Sequence, residues 1–214
     1  MGIDLTSKES KPSACLGMSR LQRIAYSGFL YRDLDIVNLV EKHKFELVAI
    51  DAPLSLPKGL CCLRESCGCQ AELDLKGRAC ERQLAGLGIP CYFTTKKSII
   101  RDMVYRGIKL KAQLESAGYR VIEVYPYASK RRLFRIKKIP PKTTAEGLHF
   151  LRRGIAELLP HLSPHVEKFN HDMCDAAVAA YTAFLHSRGK TELIGDATEG
   201  AIIIPFSGPV LMDW

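Results

Sequence analysis

Four aspartates stand where a divalent cation could be held. Asp4 closes the run Gly2-Ile3-Asp4, and Asp51 closes Leu47-Val48-Ala49-Ile50. Asp172 and Asp175 follow Asn170 three residues apart, a spacing that puts both on one face of a helix. Carboxylates brought to one point repel unless a hard cation with oxygen ligands sits among them. Mg²⁺ or Mn²⁺ is held in this way, by one or two carboxylates plus waters and substrate phosphates. Two such ions about 3.5–4 Å apart would clamp the attacking and leaving oxygens of phosphoryl transfer. The expected metal set is Asp4, Asp51 and Asp175, completed by Asp172. Plainer readings exist for each. Asp172 could merely favour a helix dipole, and Asp51 could merely open the Asp-Ala-Pro turn. Asp4 resists such a reading, because an acid between Ile3 and Leu5 does not suit burial.

Other residues fall into supporting roles. Alternation along Arg120 to Tyr125 puts Val121, Glu123 and Tyr125 on one strand face. A glutamate there is costly unless it is paired or placed at a site. Glu123 is therefore counted with the catalytic acids, at the edge of the site rather than as a metal ligand. His171 is either an acid/base or substrate contact near the metals, or a plain helix-start histidine. Arg78 and Arg82, one helical turn apart, either bind a substrate phosphate or are ordinary exposed arginines. Lys96 and Lys97 are substrate-binding candidates of the same kind.

The elements that must position these groups can be read along the chain. Gly2 to Thr6, Ser13 to Ser19 and Arg23 to Phe29 read as a three-strand meander. A helix opens at Asp33, and Leu47 to Ile50 is a buried strand. Residues 54–97, with Pro57, Gly59 and six of the eight cysteines, form an insertion with a short helix around Arg78 to Leu84. Ser98 caps a helix to Ala117, and Gly118 ends it. Arg120 to Tyr125 is a strand stopped by Pro126. Thr143-x-x-Glu146 forms a capping box for a helix through Leu159. Asn170 caps the helix His171 to Ser187. Glu192 to Ile194 and Ala201 to Ile204 form a terminal hairpin. The expected fold is α/β, a mixed five-stranded sheet of order 3-2-1-4-5 flanked by helices. The Cys-rich insertion follows strand 4, all within one domain spanning 1–214. Strands 1 and 4 would then meet at a topological switch point, where open α/β sheets bind ligands.

Composition narrows the classes. The 214 residues are 47% hydrophobic and 25% charged, ordinary globular values that exclude a disordered chain. No apolar run is long enough to span a bilayer. No secretory signal opens the sequence, so a cytoplasmic location and no membrane partner are expected. The net charge of +8 is uneven. Lys96 to Lys142 carries 14 Lys/Arg against 3 acids, and the remaining 167 residues carry 17 against 20. A concentrated basic segment attracts a phosphate backbone through counterion release. Its bland counterpart is a solvated lysine-rich face.

Cys61, Cys62, Cys67 and Cys69 fall within nine residues, with Cys80 close behind. Thiols this dense suit a tetrahedral Zn²⁺, although the spacings are not two C-x₂₋₄-C knuckles. Disulfides and free thiols stay open beside metal binding. The scarcity of Asn (2) and Gln (4) is compatible with a heat-adapted source, where disulfides do occur in the cytosol. Cys15 and Cys174 read as small core residues.

Several stretches together resemble one family: GIDL, VAIDAPLSLP, Arg78-x-Cys-Glu-Arg, GYRVIEVYP, HDMCDAAVAA and IGDATEGAIIIP. It is domain of unknown function family 429, described as predicted RNase H-like nucleases. The likeness covers nearly the whole chain in motif order. It implies an RNase H-like fold and an acidic site, and the family's acids match Asp4, Asp51, Glu123, Asp172 and Asp175. HDMCDAA is also similar to the terminal acidic helix of Holliday-junction resolvases. Where the family often follows GIDL with small residues, this chain has Thr6-Ser7-Lys8. The expected function is a nuclease using Mg²⁺ or Mn²⁺, with nucleic acid as partner. The alternatives are a non-catalytic nucleic-acid-binding protein on the same fold and a nucleotide-dependent phosphotransferase or ATPase. The latter lacks any Gly-rich phosphate loop here.

Overall fold

The computed structural model describes residues 1–72, 75–141 and 144–207. One seven-stranded sheet runs β3-β2-β1-β4-β5-β7-β6. Its first five strands are β1 (Gly2–Asp4), β2 (Ser13–Met18), β3 (Ile24–Leu30), β4 (Leu47–Asp51) and β5 (Arg120–Val124). They take the expected RNase H-like order. The terminal hairpin, β6 (Thr191–Asp196) and β7 (Gly200–Pro205), was expected as an appendage. It joins the sheet instead, with β7 parallel to β5, and raises the strand count from five to seven. Ile202, Ile203 and Ile204 are buried there, so leaving the hairpin off the sheet would expose a β-branched run.

The two faces of the sheet bury different layers. On one face, α1 (Asp33–His43) and α3 (Arg101–Ser116) cover Ile3 and Ile50 with Ile36, Val40, Leu110 and Leu114. On the other lie α4 (Pro126–Leu133), α5 (Ala145–Leu158) and α7 (His171–Ser187), with the four-residue α6 (Ser163–Val166) between the last two. The helix α7 presents Ala176, Ala177, Ala179, Ala180 and Ala183 to the core. These small residues let its backbone approach β1 closely. A Cβ on Gly2 would lie 2.1 Å from the Ala180 nitrogen and 2.2 Å from the Ala176 oxygen.

Two local details differ from the sequence reading, and a third is untested. Pro126 ends β5 but also opens α4, where it occupies the first turn. That position suits a residue with no N–H to donate. The helix expected from Ser98 starts at Arg101, and Ser98 instead belongs to the turn before it. The capping box placed on Thr143 lies outside the described residues. Thr144 caps α5, accepting from the Gly147 N–H at 3.0 Å. The short α2 (Ala79–Gly86) forms as expected, but residues 52–72 and 75–78 before it contain no helix or strand.

Candidate active site

Parallel pairing of β1 with β4 sets Asp4 directly opposite Asp51, after Gly2 opposite Ala49 and Ile3 opposite Ile50. Adjacent strands lie about 4.8 Å apart, and register partners point to the same face. Both aspartates therefore emerge together at the carboxyl ends of central strands, on the α7 side. Asp175 reaches the same place from the second turn of α7. The three acids line one cleft of about 380 Å³, with Lys130, Tyr125 and Met103 among its other walls.

The cleft is not a bare acidic hole. The Lys130 ammonium donates to Asp175 Oδ1 at 2.6 Å, with side chains only 4% and 6% exposed. Lys130 is carried by α4, which Ser129 fastens to α7 through the Thr182 hydroxyl at 3.1 Å. Burial, then the negative charge of Asp51, pushes the Tyr125 phenol well above its ordinary range. Its hydroxyl stays protonated and donates to the Pro90 carbonyl at 2.7 Å.

Glu123 and Arg78 also line the cleft, as a buried pair. Glu123 pairs in register with Ile50, one residue before Asp51, so it points to the opposite sheet face. There Arg78 meets it with two donations, at 2.7 and 2.6 Å, and the Leu54 N–H adds a third at 2.7 Å. Arg78 also donates to Glu81 at 2.9 Å and to Ser55 at 3.0 Å, and is only 1% exposed. The exposed position expected for Arg78 does not hold, and its donors meet Glu123, Glu81 and Ser55. Burial opposes its charge, but Glu123 outweighs that and keeps the guanidinium protonated. Glu81 in turn accepts from the Arg78 N–H and from the Thr94 N–H and hydroxyl. The arginine thus locks α2 to β5 in the wall of the cleft.

The other candidates sit outside the cleft. Asp172 is half-buried and receives the Asn170 amide at 3.4 Å. His171 is half-buried, with Nδ1 enclosed and lacking a hydrogen-bond partner among the described residues. Arg82 donates to the Gly77 carbonyl and Lys96 to the Cys67 carbonyl, while Lys97 is exposed. The motif around Asp196 and Glu199 is a tie. Glu199 accepts from the Lys58 N–H at 3.0 Å and from the Ala79 N–H at 2.5 Å, at the start of α2. Asp196 takes the Lys58 ammonium at 2.6 Å.

The basic segment also divides. Its helices α3 and α4 lie on opposite faces of the sheet, so it is not one phosphate-tracking stripe. Arg106 is buried, donating to Asp33 at 2.8 Å and to Thr6 at 3.0 and 2.9 Å. Thr6, at the position where this chain departs from the family's small residues, thereby fastens the loop after β1 to α3. Lys97 and Arg101 stay exposed beside Ile100 and Met103 of the cleft wall. Of the cysteines, Cys80 is fully buried in a third core cluster and stands apart from the other four. Burial pushes the Cys15 and Cys174 thiols up to about 12, as suits inert core residues.

Lys130 is the residue that sequence reasoning missed. The available signal was Pro126, a helix-opening residue just after a strand, which would have put Ala128 to Lys130 on a helix. Among the described residues, no helix is long and apolar enough to cross a membrane. No curated protein matches the chain. Among solved structures, that of Thermus thermophilus RuvC is similar at 13% identity, over 88% of this chain and 95% of that one, with a TM-score of 0.42. The model of the family described as "Protein of unknown function (DUF429)" matches residues 2–199, and the chain belongs to that family.

Proposed function

We propose that this protein is a divalent-metal-dependent phosphodiesterase acting on nucleic acid. The observation that carries the reading is the register pair Asp4 and Asp51, opening with Asp175 and Lys130 into one cleft at the strand ends. The donor set fits a hard cation, because the strand-end ligands are carboxylate oxygens. Asp4 and Asp51 would hold Mg²⁺ or Mn²⁺, with Asp175, paired to Lys130, beside them. When bound, such an ion makes a water nucleophilic near neutral pH and stabilises developing oxyanion charge. Lys130 fixes the Asp175 carboxylate and brings a positive charge to the cleft. Lys97 and Arg101, exposed near its wall, would draw phosphates toward it.

A panel of RNA, DNA, hybrid and branched substrates with Mg²⁺ and Mn²⁺ tests this. Cleavage is expected with one of them and lost in Asp4→Asn and Asp51→Asn. Cleavage that survives Asp4→Asn would sink the mechanism, as would no cleavage at all. One observation favours a second reading, a non-catalytic nucleic-acid-binding protein: an ammonium, that of Lys130, already pairs with Asp175. That reading expects steeply salt-dependent binding without turnover.

A further inference from the structure

We propose that Cys61, Cys62, Cys67 and Cys69 bind one structural Zn²⁺. Their four sulfur atoms all lie within 4.8 Å of one another. The Cys61 and Cys67 sulfurs are 3.6 Å apart. With Zn–S bonds of about 2.3 Å, a tetrahedral site has sulfurs about 3.8 Å apart. A disulfide would need about 2.05 Å. A chance thiol contact accounts for one such pair, but not for four sulfurs converging on one point.

The stretch that carries them supplies a reason for the ion. Residues 52–72 and 75–78 have no helix or strand, so no backbone ladder holds them. Among their anchors are the Leu63 N–H, which donates to the Tyr105 hydroxyl at 2.6 Å, and the Cys67 carbonyl, which receives Lys96. A loop this long without secondary structure is uncommon in a compact fold unless something else orders it. Four thiols that lose their protons to solvent as they bind Zn²⁺ leave a centre of charge −2. Lys96, beside Cys67, and Arg64, beside Cys62, offset that charge.

With four protein ligands the site is closed and has no position for a substrate, the pattern of a structural rather than a catalytic zinc. The loop begins just after Asp51 and ends at Arg78. The ion would therefore hold the segment that joins Asp51 to the arginine lock in the wall of the same cleft. This inference stands apart from the proposed phosphodiesterase chemistry and survives its failure.

Full-length protein purified anaerobically without chelator should contain one zinc per chain by mass spectrometry. Cys67→Ser and Cys69→Ser should lose it, whereas Asp51→Asn should keep it. Wild-type protein stripped of metal and loaded with Co²⁺ should show the visible bands and thiolate charge-transfer absorption of a tetrahedral cobalt–sulfur centre. This optical test needs no variant and so does not depend on a mutant folding. Zinc retained by both serine variants, iron in its place, a disulfide among the four, or cobalt without thiolate absorption would each overturn the proposal.

Discussion

Replacing Arg78 by methionine keeps the stem length and removes four side-chain donations: two to Glu123, one to Glu81 and one to Ser55. The two carboxylates are left unequally. Glu81 still accepts from the backbone N–H of residue 78 and from both Thr94 donors. Glu123 retains the Leu54 N–H, at a site where it is only 6% exposed. Stranding one buried charge costs about 3–5 kcal/mol. For a chain of this size that lowers Tm by about 6–20 °C. A phosphate-binding or merely exposed arginine would change stability by no more than about 0.5 kcal/mol. Urea unfolding at neutral pH, at equal zinc content, distinguishes the two. The double variant Arg78→Met/Glu123→Gln should recover part of the loss, with a coupling energy of about 0.5–3 kcal/mol. A near-neutral Arg78→Met, or a strictly additive cycle, would refute the lock.

Lys130→Met should destabilise by a comparable ~3–5 kcal/mol. Added Mn²⁺ should narrow that deficit, because a divalent cation can replace the lost ammonium beside Asp175; a loss under about 1 kcal/mol would mean the pair is not sealed from water. Gly2→Ala would drive a methyl into the backbone of α7, costing at least ~1–3 kcal/mol in a denaturant melt. An unchanged melt would contradict the close approach of α7 to β1. Hydrogen bonding from Lys58, then from Thr198, holds the Asp196 carboxyl below its ordinary range. Its folded value is depressed, so its contribution is complete above the ordinary carboxylate range and is lost only as pH falls through that lower value. Lys58→Met should therefore raise the Asp196 titration midpoint followed by carbon NMR, and an unmoved midpoint would remove Lys58 as the cause.

The parts of the site that a local pattern could announce were legible. Asp4 and Asp51 each end a short apolar run, and a strand order inferred from the meander and crossovers makes them neighbours. Asp172 was less secure, since i and i+3 differ by about 60° around a helix. That angle is enough for Asp175 to enter the cleft while Asp172 stays beside Asn170. Arg78 and Lys130 were opaque for one shared reason. Arginine and lysine are almost never fully buried unless paired; Glu81 is near Arg78 in sequence, but Glu123 and, for Lys130, Asp175 each lie 45 residues away. No local window of sequence contains both halves of Arg78–Glu123 or of Lys130–Asp175. The strand phase of Glu123 was correct, but its meaning depended on the register of β5 against β4, which no single strand reveals. The hairpin was found, while its place beside β5 follows from packing of its isoleucines.

The hairpin also orders events in time. Glu199 meets the start of α2, and a Cβ on Gly195 would lie 2.6 Å from Cys80. These contacts come from residues synthesised long after β1, β4 and α2. Chains emerge from the ribosome at about 5–20 residues per second, so a nascent chain passes through an interval with β5 as an open sheet edge. During that interval α2 lacks its Glu199 anchor and the Arg78 lock has no roof. The strand-end aspartates can pair early, but the wall opposite them is completed only when β6 and β7 arrive. If the cleft cuts nucleic acid, chains still attached to their message would be poorly competent to do so.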